Sequence, residues 1–159
     1  MSNENSSLRT GSTVMFIGAL SFIGYAVVFF FRSFMGTGFE LGVDTINGAT
    51  QADLNVLNPA IVPYITHLHV ATAGFIAATG IAVAALAWYG VRRGQWWAWV
   101  TAVVAPVVGL VVALPMHYLN VFSYNHVTHL GPIYLGTLVF VVGVLMALRG
   151  LLGKYSIPA

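Results

Sequence analysis

Polar and apolar residues come in long blocks along this chain rather than at the short periods of a soluble domain. Four apolar blocks stand out, at 13–32, 59–91, 96–117 and 127–149. Each reaches the roughly 20 residues that carry a helix across a hydrocarbon core. The first, Thr13 to Phe31, holds no charge and stops at Arg32, whose guanidinium can rise to the interface. It is longer than the roughly 7–15-residue core of a signal peptide and has no A-x-A cleavage pattern, so it predicts a retained span.

The second block opens on Asn58-Pro59, a capping residue followed by a proline that forfeits no helical hydrogen bond. It exceeds what a bilayer needs, so its first turns stand clear of the lipid or bend at Pro63. Arg92-Arg93-Gly94 then predicts a tight basic turn, and Trp96, Trp97 and Trp99 an interfacial aromatic belt. The third block carries Pro106 and Pro115, and the fourth closes on Arg149 and Lys154. The fold class that follows is an all-α integral membrane protein, an up-down bundle of four transmembrane helices. It forms one domain, 13–150, between polar tails at 1–12 and 151–159.

The longest polar connection, 33–58, reads as more than a link. Asn47-Gly48 signals a turn, and Thr50 with Asp53 makes an approximate capping box ahead of a short amphipathic helix, Gln51 to Leu57. Phe34, Phe39, Leu41, Val43, Ile46, Leu54, Val56 and Leu57 are too many apolar residues for a solvated tether. The pattern predicts an ordered loop covering one end of the bundle.

Composition supports lipid as the solvent. Of the 159 residues 58% are hydrophobic and only 6% charged, against about a quarter charged in soluble domains. The absence of cysteine excludes disulfides, thiolate metal sites and thiol nucleophiles. A net charge of +2 is too small and scattered for nucleic-acid binding. The bases speak to topology instead. Arg9, Arg92, Arg93, Arg149 and Lys154 fall on the side shared by both termini, and Arg32 alone on the other. The positive-inside rule therefore places both termini in the cytoplasm, with 33–58 and the third-to-fourth connection outside; the chain resembles the small four-helix membrane proteins of prokaryotes, which implies a prokaryotic cell membrane.

Candidate chemistry gathers on that outer side. Met116 to Gly131 holds His117, His126 and His129, and the second span opens with His67 and His69. His126 and His129 share a helix face. His67 and His69 point about 200° apart, so at most one of them joins a common centre. Imidazole suits copper, zinc, iron and haem iron. Glu40, Asp44 and Asp53 are loop acids that could complete the set. The bland reading is a set of interfacial histidines, each with a hydrogen-bond partner, and neither H-E-x-x-H nor C-x-x-C is present.

Thr66-His67-Leu68 and Thr128-His129-Leu130, each with a glycine seven residues after the histidine, also suggest two parallel halves. Such halves would set His67 opposite His129 and allow bis-histidine haem ligation. Tyr118, Tyr124 and Tyr134, with Phe122, Asn120 and Asn125, could line a pocket there.

No carboxylate interrupts any apolar block, which argues against an ion-coupled transporter. Small residues from Ala71 to Gly80 predict a close helix seam, within the chain, in a homo-oligomer or toward a larger membrane complex. Three functions are consistent with this pattern: an outward-facing metal or haem centre, a non-catalytic accessory subunit, and a lipid or quinone binder.

Overall fold

The computed structural model describes residues 2–35, 38–119 and 121–155. Its elements are α1 (Ser2–Arg32), α2 (Gln51–Leu57), α3 (Ile61–Ala85), α4 (Trp96–Ala113), α5 (Pro115–Tyr118) and α6 (His126–Tyr155). A wider turn over Leu86–Gly90 and a tighter one over Val91–Arg93 extend α3. Four stretches, Ser6–Arg32, Ile61–Arg93, Trp96–Tyr118 and His126–Lys154, are long and apolar enough to cross a membrane. The molecule is a four-helix membrane bundle with lipid against its outward faces.

Helix α1 is the centre of the bundle. It packs along most of its length against α6, and on another side against α3. The contact with α6 is antiparallel and runs on glycines seven residues apart. Gly11 and Gly18 on α1 face Ala147 and Phe140; Gly136, Gly143 and Gly150 on α6 face Ser21, Met15 and Leu8. A Cβ added at Gly18 would lie 2.7 Å from the Phe140 Cα, and one at Gly150 2.7 Å from the Leu8 nitrogen. The two backbones are thus nearly in contact. Without a hydrophobic drive between helices in lipid, such close approach supplies the packing energy. A seven-residue repeat keeps the seam facing its partner over several turns.

This seam explains where α1 starts. The residues read as a polar tail, 2–12, are helical, because Leu8 and Ser12 are buried against the end of α6. The last helix likewise continues past Arg149 to Tyr155; the tail from Ser156 onward lies outside the described residues. The small-residue seam expected on the second span is used only in part. Gly80 meets Ala19 and Ile23 of α1, whereas nothing lies near Gly74.

The turn ends of the spans follow the sequence. Gly94 takes a left-handed conformation (φ 78°) that closes the Arg92-Arg93 turn. Lys154 donates to the Arg93 carbonyl, and the Trp99 indole donates to the Val144 carbonyl at 3.2 Å. Pro106 is buried within α4. The third span breaks at Leu114, since Pro115 has no N–H to continue the ladder, and α5 begins there.

Residues 38–58 of the connection fold over the end of the bundle remote from the termini. Asn47 and Gly48 both have positive φ, as a two-residue hairpin turn requires, and Ile46 pairs with Ala49. Thr50 and Asp53 form both arms of a capping box for α2, with the Thr50 N–H donating to Asp53 at 2.8 Å. Thr50 hydrogen bonds hold the exposed Asp53 carboxyl below its usual range. The Gln51 amide donates to the Gly38 carbonyl at 2.9 Å and ties α2 to the loop.

Candidate functional site

The loop tip at Leu41-Gly42 docks on the first turn of α6. The Asn125 N–H donates to the Gly42 carbonyl at 2.8 Å, while the Asn125 side chain accepts from the Thr128 N–H at 3.0 Å and caps the helix. Gly42 has φ 77°, and a Cβ there would lie 3.0 Å from the His129 nitrogen, so only glycine lets the loop approach this closely. The docked tip presents the Leu41 carbonyl to His129 Nδ1 at 2.8 Å.

His129 is 2% exposed. A backbone carbonyl can only accept, so Nδ1 carries the proton and donates. In the neutral ring Nε2 is then a bare lone pair. His117, on α5, is in the same position. Its Nδ1 lies 3.2 Å from the Ala113 carbonyl and donates to it, which leaves Nε2 bare as well. The two Nε2 atoms face each other at 2.9 Å. In these tautomers neither ring has a proton to place between the two nitrogens, so both lone pairs are turned to the same point.

A carboxylate stands beside this pair. Glu40 Oε2 is 3.8 Å from His129 Nε2, and Glu40 Oε1 is 3.0 Å from His69 Nε2. His69, Glu40, His129 and His117 thus form a chain across α3, the loop, α6 and α5. Aromatic rings enclose it: Phe29 against His69, with Phe122 and Tyr124 against both His117 and His129. The Tyr124 hydroxyl donates to the His117 carbonyl at 3.0 Å and holds the α5 turn.

The remaining candidates lie elsewhere. His67 is exposed, as a residue about 200° from His69 on the same helix must be when His69 faces inward. His126 is exposed and packs at a tilt against Tyr124, 4.5 Å between ring centroids. Asp44 is exposed and Asp53 is occupied with its cap. The Tyr118 and Tyr134 hydroxyls hydrogen-bond each other. Asn120 lies outside the described residues. Among the described residues no set of three or more His, Asp or Glu side chains is already drawn around one point as a metal cage would be. What the structure contains is two imidazoles set nitrogen to nitrogen with a carboxylate at their edge.

A cavity of about 320 Å³ adjoins the chain on the His69 side. It is lined by Phe39, Glu40, Val43, Ile46, Ile65, Leu68, His69, Val121 and Phe122. The tyrosines proposed from sequence as a pocket wall, Tyr118, Tyr124 and Tyr134, are not among its lining. The Leu41 carbonyl and the apolar walls from Phe39 and Val121 went unrecognised in the sequence, although the glycine between Leu41 and Val43 was a usable sign of a close approach.

Comparison with known proteins adds no identity: the chain matches no protein family, no curated protein and no solved structure.

Proposed function

We propose that the loop-covered end of the bundle is an outward-facing metal centre in which His117 Nε2 and His129 Nε2 clamp one transition-metal ion and Glu40 supplies a third ligand. The supporting observation is the pairing of tautomers. Each ring donates its Nδ1 proton to a backbone carbonyl, the partner that metal-bound histidines usually have, and turns a bare Nε2 to the same point. The outward orientation follows from the basic residues at the opposite end of the bundle.

The spacing favours particular metals. With metal–nitrogen bonds of about 2.0–2.1 Å, nitrogens 2.9 Å apart subtend an angle of about 90°. That is a cis pair in a tetragonal or octahedral shell and suits copper(II) or iron. Tetrahedral zinc would need the nitrogens about 3.3 Å apart, a small opening of the clamp. Haem is the poorer fit. Two histidines on opposite faces of one iron need nitrogens about 4 Å apart with the macrocycle between them, whereas these nitrogens are 2.9 Å apart and Glu40 edges the gap.

A redox role or metal handling are the functions such a centre supports. Equilibrium dialysis of the full chain in lipid nanodiscs against copper(II), zinc(II) and iron(II), followed by metal analysis, tests the reading. Near-stoichiometric copper that falls at least tenfold in His117→Ala and His129→Ala, and persists in His67→Ala and His126→Ala, is the expected result. Equal loss in all four variants, or no retained metal in the parent protein, would overturn it.

A further inference from the structure

The cavity beside His69 shares Glu40 and Phe122 with the surroundings of the clamp, but neither His117 nor His129 lines it. Its walls are apolar, with Phe39 and Phe122 contributing rings. Leu68, Ile46 and Val121, which also line it, are among the exposed apolar residues of this end. Its rim is therefore apolar and open to the surroundings, which suits a ligand that carries an apolar tail.

The polar lining is confined to Glu40 and His69. Glu40 Oε1 takes one contact from His69 at 3.0 Å and keeps acceptor capacity to spare. A carboxylate at the inner wall repels phosphate and fatty-acid headgroups, so ordinary phospholipid ends are disfavoured. It welcomes a neutral hydroxyl. The volume, near the low end of the roughly 300–1,000 Å³ typical of small-molecule sites, suits a single ring.

We infer that this cavity binds the ring of a membrane-soluble hydroquinone, with a ring hydroxyl donating to Glu40 and the tail leaving between Leu68 and Val121. The inference concerns binding alone. It does not rest on the metal centre, and its test is run with a chelator present so that the two readings fail separately.

The probe is a short-tailed hydroquinone with a photoreactive azide on the ring, applied to the full chain in nanodiscs with EDTA. Cross-links are expected within 39–46 and 65–69 and at Phe122. Leu68→Trp and, independently, Val121→Trp should reduce labelling at least tenfold while thermal unfolding stays unchanged; both positions are exposed, so the larger ring intrudes on the cavity and not on the core. The unlabelled hydroquinone should compete at least tenfold better than its dimethyl ether, and better than a straight-chain alcohol of equal length. Labelling confined to other faces, labelling unaffected by both tryptophans, or equal competition by the ether or the alcohol would each overturn the inference.

Discussion

The two ends of this bundle are held together in different ways. Toward the termini, α1 and α6 meet backbone to backbone on glycines spaced by seven, and the buried side chains are mostly apolar. At the other end the spans are joined through polar groups, with loop carbonyls on Asn125 and His129, and Glu40 on His69. The first arrangement resists any added volume. The second tolerates volume better and depends on each donor finding its acceptor. Close packing is therefore concentrated in the glycine seam and the candidate chemistry in the polar end, a division that substitutions can probe.

The largest effect is expected at the seam. Gly143→Leu forces a side chain against the backbone of α1 at Met15, and overpacking of this kind costs at least about 1–3 kcal/mol. Nothing lies near Gly109 on α4, so Gly109→Leu should change stability little. Unfolding in mixed detergent, monitored by circular dichroism, checks the contrast. Comparable losses at both positions would remove the seam from the account.

A smaller loss is expected at the polar end. His129→Ala strips the Leu41 carbonyl of its donor inside a buried site, at a cost of about 1–3 kcal/mol. Its mark is local: amide exchange should accelerate across 38–46 and around Asn125 while the seam amides stay protected. Uniform acceleration would mean that the loop is not docked through this residue.

Next is the α6 cap. Asn125→Ala removes the acceptor for the Thr128 N–H and should cost about 1 kcal/mol, with faster exchange in the first turn of α6 only.

The smallest effect is a pH dependence in α2. Asp53 is held below the ordinary carboxylate value by Thr50, so its capping contribution is complete above the unfolded value of about 3.9 and fades as pH falls through the lower folded value. Helix α2 amides should therefore begin to fray only below about pH 4, and Asp53→Asn should shift that onset. Fraying already at neutral pH would contradict the cap.

The sequence revealed some of these features more readily than others. Span positions, the Asn47-Gly48 turn and the Thr50–Asp53 box were readable because each depends on a few adjacent residues. The docked loop was readable in outline from its apolar content. The glycine seam was missed in favour of Ala71–Gly80, although Gly11, Gly18, Gly136, Gly143 and Gly150 carry an audible seven-residue rhythm; which of two small-residue stripes meets a partner depends on how four helices are arranged. Within the site, local spacing allowed one member of the His67/His69 pair to turn inward but could not choose it. The partnership of His117 with His129, and the Leu41 carbonyl that fixes the His129 proton, depend on the break at Leu114 and on the loop tip crossing to α6, neither of which is a local property.

The central claim is that two imidazole nitrogens with fixed tautomers share one cation. Electron paramagnetic resonance of the copper(II)-loaded full chain in nanodiscs tests it most directly, because nitrogen hyperfine structure counts the imidazoles on the ion. The account predicts a tetragonal signal with two coordinated imidazoles, reduced to one in His117→Ala and unaltered in His67→Ala and His126→Ala. A bound signal that survives the loss of both His117 and His129, or one that His67→Ala abolishes, would contradict it.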